Sequence, residues 1–521
     1  MRVSVRPVTD IVVGSGPSGV SAAKALLGRG RSVTMIDVGE QLEPELETRR
    51  AELASHEPQD WSEAGLAAYK APQLQQGDGE IRRYGSDFLV RDTVRLLRNR
   101  PPWFGLQPSF ARGGLSNAWG AAVLPYRQED LADWPISATD LAPHYKAVAS
   151  FMPVAGTRDA LEDFFPAFGM SGARPLARSG QAASLLKRMD EKRTVLKGMH
   201  VVGGAARQAA SADCRRCGLC LHGCPYEYVF NASQTVATMN RDPRFEYRSG
   251  LRAISFEQTA NSVRLVCKQA DGTVEIVNGD RLFLAGGVLP SAQIVLNALG
   301  ARELVLRDSQ HFFLPLVHLW ASSVDPAKEA RHAMTEVFIE LNAPAVSPHT
   351  VHAQLYTYNE FYAVDMKRRY GRMLPFAGGL FDALGRRLIV SQIFLHSDHS
   401  HSIAVELASG GEQLEARLIE NPDLAGVATR ARSTYAKAAR SLGLLAIAAA
   451  SRFGAPGSSF HVGASMPMRR APRGLQTDVL GRIAGMENVH IVDASVLPSI
   501  PATTITFSVM ANAHRIASNA P

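Results

Sequence analysis

The segment Asp10-Ile-Val-Val-Gly-Ser-Gly-Pro-Ser-Gly-Val20 leaves this chain few ways to begin folding. An apolar run from Ile11 to Val13 stops at Gly14, Ser15, Gly16 and Gly19, and Val20 to Leu27 then carry the spacing of an amphipathic helix. A second apolar run, Val33 to Ile36, is closed by Asp37. A strand that turns at once into a helix needs Gly14 for the tight turn and Gly16 for backbone N–H groups to approach a pyrophosphate. Gly19 then lets the helix pack close to the strand. The helix N-terminus faces the phosphates with its partial positive charge, and Asp37 can accept hydrogen bonds from a ribose hydroxyl. The spacing predicts a βαβ unit that binds a dinucleotide. A glycine turn in an ordinary βαβ unit is the plainer alternative, and these residues alone do not choose between NAD and FAD.

At 521 residues the chain exceeds one compact core and should divide into two or three units. No apolar run reaches the length of a membrane span, and the first strand starts too close to Met1 for a leader peptide, so a cytoplasmic location is expected. The net charge of +7 is spread along the chain, which suits a solvated surface better than a nucleic-acid partner.

Residues 40 to 85 are polar and helical in tendency. The stretch Phe110 to Gly120 concentrates Gly113, Gly114, Ser116, Asn117 and Trp119 in a loop where backbone can approach a flat or phosphorylated ligand, or simply make a tight turn. Val263–Cys267 and Asp280–Ala285 alternate as strands; the second runs into Gly286-Gly287 and a helix from Ser291 to Leu299, repeating the strand, glycine, helix order. Between 310 and 410, the runs His352–Tyr358 and Leu388–Leu395 suit antiparallel strands, and Tyr356, Tyr358 and Tyr362 are candidates for substrate contact or for core. Ala425–Ala450 and Thr506–Ala517 read as helices.

Four of the five cysteines fall in Cys214-Arg-Arg-Cys217-Gly-Leu-Cys220-Leu-His-Gly-Cys224-Pro225. This spacing matches the ferredoxin run, in which thiolates wrap an iron–sulfur cluster. Zinc fits less well, because structural zinc sites separate two cysteine pairs by a longer loop. A [4Fe-4S] cluster would need a fourth thiolate, from Cys224 or Cys267; a [3Fe-4S] cluster would not. A reduced, metal-free loop is the alternative.

The last seventy residues contain Ser459-Phe-His461-Val-Gly, Thr477-Asp-Val-Leu-Gly-Arg482, Asn488-Val-His-Ile-Val-Asp-Ala-Ser495 and Pro501-Ala-Thr-Thr-Ile-Thr506. With the N-terminal glycines, the Gly113–Gly120 loop, Trp134 to Tyr145 and Leu282 to Ser291, this order resembles the glucose–methanol–choline (GMC) flavoprotein oxidoreductases from residue 10 to residue 517. The resemblance implies an α/β fold: a Rossmann-like FAD-binding domain, here 1–45, 85–130, 200–300 and 455–521, and a discontinuous α+β substrate domain built on an antiparallel sheet, here 131–199 and 301–454. It implies His461 as general base near the flavin, and Thr504 where the family places Asn or His, with Thr503 and Thr506 placed to share its role. It puts Asp493, Ala494 and Thr506 against FAD. Ala118 stands where some relatives carry a histidine bonded to the flavin, so the FAD is expected to be noncovalent. The expected reaction is oxidation of an alcohol, a sugar or other polar secondary hydroxyl, with electrons passing to a cluster or a redox partner protein. The rival readings are an electron-transfer flavoprotein and redox-neutral or reductive flavin chemistry on the same fold.

Overall fold

The strand Thr9–Val13 has a parallel neighbour on each side in the computed structural model, which describes residues 9–70, 84, 86–166, 173–319, 325–359, 362, 366–368 and 378–521. Five parallel strands lie in the order Val489–Ile491, Arg281–Leu284, Thr9–Val13, Ser32–Ile36, Phe245–Arg248. The three inner strands, Arg281–Leu284, Thr9–Val13 and Ser32–Ile36, are buried almost throughout because a parallel sheet is covered on both faces. The helix Pro17–Gly28 starts with proline, whose missing N–H would have had no partner in the first turn. Its small face packs on the C-terminal helix Thr506–Asn519, and Ser21 Oγ donates to the carbonyl of Met510 at 2.6 Å. The expected second glycine junction forms as well, with Gly286–Gly287 leading from Arg281–Leu284 into the helix Val288–Leu299. Arg252–Gln258, Val263–Lys268 and Val274–Gly279 make a three-stranded antiparallel meander, and Cys267 is buried in its middle strand. The polar stretch 40 to 85 holds helices Pro44–Ala54 and Glu63–Lys70; residues 71–83 and 85 lie outside the described residues.

A larger antiparallel sheet runs Leu444–Ala446, His311–His318, Leu388–Phe394, Val351–Tyr356, Val337–Leu341, Val201–Ala205, with Arg452–Phe453 also pairing His311–His318. Its last strand comes from the 200–300 segment, which the family resemblance had grouped with the FAD-binding unit. Side chains alternate between faces along each strand. One face presents Phe312, Leu314, Ile339, Ala353 and Ile393 to the helix Asp423–Ser441, whose buried Leu424, Val427, Ala428, Ala431, Tyr435 and Ala438 recur at helical spacing. The opposite face holds a row set by register: Glu340 opposite His352, His352 opposite Phe394, Phe394 opposite His311. The next row on that face holds Gln354 opposite Gln392. A four-stranded sheet of Leu414–Ile419, Ser402–Leu407, Glu303–Asp308 and Val462–Gly463 connects the two parts; Leu306, Ile403 and Val405 share one core with the parallel sheet.

Candidate active site

A cleft opens at the carboxyl ends of the parallel strands, where ligands of open α/β sheets bind. It is lined by Gly14 to Ser18, by Ile36 to Val38, by Gly114 and Leu115, and by Ala285 to Leu289. Asp493, Ala494, Ile505 and Thr506 line it further along, as do Phe460 and Val462. The glycines do what their spacing predicts. Gly14 has φ +95° and a Cβ there would lie 2.5 Å from the Ala285 carbonyl oxygen, while a Cβ on Gly19 would lie 1.9 Å from the carbonyl oxygen of Gly14. Gly16 faces open space instead, on the cleft side. The donors at the helix start and this long groove fit an extended dinucleotide.

Ser15 has a role that the glycine pattern does not show. Its hydroxyl donates to Asp37 and accepts from the amide of Gly113 at 2.8 Å, so one side chain joins the fingerprint loop to the second glycine loop. Asp37 also accepts from the Tyr247 hydroxyl at 3.2 Å, and burial raises its carboxyl to about 6. Arg112 lies over the Tyr247 ring at 5.1 Å, with its Nε buried and unpartnered. Tyr247 has no sequence signal, since it arrives from an element remote in the chain; Arg112 lies in the glycine-rich Phe110–Gly120 loop, whose pattern does not single it out.

Within the second loop the polar side chains are used to build the loop itself. Ser116 Oγ donates to the Gly113 carbonyl and accepts from Ala232 N; Asn117 Nδ2 donates to the carbonyls of Arg112 and Gly114; Trp119 Nε1 donates to that of Phe230. Gly114 and Leu115 reach the cleft, whereas Ser116, Asn117 and Trp119 do not line it. Asp493 lines the cleft but its carboxylate is occupied: Oδ2 accepts from Gly287 N at 3.0 Å and from Ser291 Oγ, and Oδ1 from Ser495 N at 2.9 Å. It ties the Gly286–Gly287 turn to the Ala494 turn, and burial pushes its carboxyl up.

His461 sits between Phe460 and Val462, two residues of the cleft wall. Its ring stacks on Phe394, centroids 4.7 Å apart and planes 21° apart, and its Nδ1 is buried without a partner. The loop that carries it is anchored by Asp308, which accepts from Gly457 N at 2.6 Å and from Ser459 Oγ; Ser459 Oγ in turn accepts from His461 N. Phe460 takes φ +59°, a left-handed turn that brings His461 under the Glu340–His311 row. Burial, with smaller contributions from His352 and His311, drives the imidazole pKa down to about 3.

Residues 407–513 match the family model for GMC oxidoreductase. That C-terminal stretch is similar to the GMC oxidoreductases. A search of curated proteins finds no match. Among solved structures, the chain is similar to pyridoxine 4-oxidase from Mesorbium loti at 14% identity, covering 98% of each chain, with a TM-score of 0.57. That likeness speaks for the fold, a Rossmann-like unit joined to a large antiparallel sheet.

Within the matched stretch Thr503 and Thr504 divide their work. Thr504 Oγ1 accepts from the buried amide of Leu124 at 2.7 Å, whereas Thr503 Oγ1 is buried with no partner. Thr504→Val should therefore lower stability in chemical denaturation by about 1–3 kcal/mol, because Leu124 N loses its acceptor. Thr503→Val should leave stability nearly unchanged.

The cysteine loop packs beside the second glycine loop. Tyr84 donates to the carbonyl of Asn117 and stands where a Cβ on Gly223 would be, and Cys217 bridges to Arg331. Cys214 Sγ accepts from Arg216 N at 3.5 Å and Cys220 Sγ from Ala333 N at 3.4 Å. Burial pushes the Cys217 thiol up to about 12 and raises that of Cys220 well above the usual thiol range, so these sulfurs ionise only against a strong positive charge. Among the described residues, the only ligand atoms gathered in threes within 4.8 Å are those of His349, His396 and Asp398. A tetrahedral zinc site holds its sulfurs roughly 3.8 Å apart, so the four cysteines are not arranged for one zinc ion. Cys267, in the meander, is not part of this loop.

Among the described residues no helix is long and apolar enough to cross a membrane.

Proposed function

We propose that this chain binds FAD noncovalently and oxidises a secondary hydroxyl of a sugar or similar polar alcohol. The observation that carries this reading is a half-buried, neutral imidazole, His461, whose Nδ1 is buried without a partner beside a cleft suited to a dinucleotide. Bound FAD would supply the acceptor for the hydride that leaves the carbinol carbon. His461 takes the hydroxyl proton at a ring nitrogen, which makes the oxygen a better donor of electron density to that carbon. Phe394 fixes the plane of the ring, and Asp308 fixes the loop that delivers it. The free hydroxyl of Thr503, rather than that of Thr504, is the better candidate to hydrogen-bond the substrate oxygen. Gln354 and Gln392 beside His352 on the same sheet face support a hydroxyl-rich substrate over an apolar one. Ser15, Asp37 and the Gly286–Gly287 turn line the groove for the nucleotide, and Ala118, buried and without a nucleophile, supports noncovalent binding. Anaerobic mixing with D-glucose, D-xylose and 2-propanol tests the reading: sugars should bleach the flavin absorption. Bleaching by none of these, in protein that holds FAD, would argue for electron relay between proteins instead.

The cysteine loop is proposed to hold an iron–sulfur cluster on Cys214, Cys217, Cys220 and Cys224, carrying electrons away to a partner protein. Protein purified without oxygen should contain about three or four irons with matching sulfide. Cys220→Ser should remove them without removing the flavin. A full flavin content with no iron in the wild type would leave the loop a structural element.

A further inference from the structure

Glu340 and His352 face each other across neighbouring strands, with Oε1 and Nδ1 2.6 Å apart and both side chains fully buried. Two of their polar atoms, Glu340 Oε2 and His352 Nε2, are buried with no partner at all. An apolar pair would serve a core better, since an orphaned polar atom costs its full desolvation. The pair also belongs to the face that meets His461. His352 is opposite Phe394 in register, their rings 6.0 Å apart, and the other side of the contact is the Phe394–His461 stack. The opposite face of this sheet is filled by the helix Asp423–Ser441, where a buried polar pair would have no ligand to meet.

We propose that His352, oriented by Glu340, is a second imidazole that touches the substrate: its Nε2 accepts a hydrogen bond from a further hydroxyl of a polyhydroxylated substrate. The inference rests on the reading of His461 as the base at the oxidised carbon. A carboxylate accepting from Nδ1–H sets the tautomer and leaves the lone pair on Nε2, the division of labour seen wherever a carboxylate orients a histidine. Glu340 is a positioning residue with one oxygen left for another O–H. A hydroxyl-rich ligand supplies the donors that these acceptors lack. A cationic one fits poorly, because Arg207, 2% exposed, with Nη2 4.0 Å from Asp159 Oδ1 and no hydrogen bond from Nε or Nη2, lies within electrostatic reach of Glu340.

The test uses FAD-loaded protein with 15N-labelled histidine, observed by long-range proton–nitrogen correlation. Wild type should show one imidazole protonated on Nδ1, absent from His352→Gln, whose Nε2 signal moves on adding D-glucose, D-xylose or glycerol. Glu340→Gln can donate its own N–H to Nδ1, so the proton should shift to Nε2 and the affinity for the same polyols should fall at least tenfold. A wild-type proton on Nε2, a signal blind to all three polyols, or an unchanged polyol response in Glu340→Gln overturns the proposal. His461→Ala separates the two readings. With the His352 response intact and flavin bleaching retained in that variant, the base assignment fails while His352 stands. With bleaching lost and the His352 signal blind to polyols in the wild type, the base assignment stands and this inference fails.

Discussion

Replacing His461 by alanine is expected to slow reduction of bound flavin by a sugar about 10²–10⁴-fold while the flavin stays in place. The side chain carries a proton acceptor, and its backbone anchors survive the change: the amide still donates to Ser459 Oγ and the carbonyl still accepts from Ser309 N. Stopped-flow absorbance of anaerobic protein measures the rate, and a variant as fast as wild type would refute the assignment. The same residue sets a pH signature. Burial holds its pKa near 3, below the ordinary 6.5, so the ring is neutral and able to accept a proton across the whole range above about pH 5. The wild-type reduction rate should lack the fall near pH 6.5 that an exposed histidine would give. The sign for stability follows from the same shift. The unfolded ring takes up a proton below about 6.5 that the folded ring refuses until about 3, so this group's contribution is present above 6.5 and is lost as pH falls through that window.

Gly19→Ala is expected to destabilise the protein by about 3 kcal/mol or more and to yield little flavin-loaded protein, whereas Gly16→Ala should fold normally and bind flavin weakly. The contrast is geometric. The new methyl at position 19 would fall 1.9 Å from a backbone oxygen of Gly14, and neither the strand nor the helix can move aside without losing the turn between them. At position 16 the backbone is extended, with φ −65°, and nothing lies within 4 Å of the new methyl except the space a pyrophosphate would use. Denaturant melts of cofactor-free protein, set beside flavin content after purification, distinguish the two effects. Equal stability losses in both variants would show that the glycines serve packing alone.

Much of the site's framework is legible in the chain because it depends on local rules. A glycine that must approach another backbone, a strand buried on both faces, and a helix with apolar residues three and four apart each leave a pattern within a few neighbours. The strands at Thr9–Val13, Ser32–Ile36 and Arg281–Leu284 and the helices after Gly16 and Gly287 follow such patterns closely. Ser116, Asn117 and Trp119 show the limit of that approach. A loop rich in glycine and small polar residues announces that backbone is crowded there, but not whether the side chains face a ligand or, as here, one another.

The sequence by itself determined the nucleotide-type βαβ start and the four-cysteine loop, since each is written in contiguous residues whose spacing has a steric or chemical cause; His461 as a candidate base is what the family resemblance implies. Only the tertiary structure decided that Ser15 clips two glycine loops together, that Asp493 is spent on a turn, that Thr504 serves Leu124 while Thr503 stays free, and that Glu340, His352, Phe394 and His311 form one row. Those facts depend on strand register and on contacts between residues up to several hundred positions apart. Register is chosen by which face of the whole sheet meets a helix and which is left for the cofactor side, and no single strand carries that information.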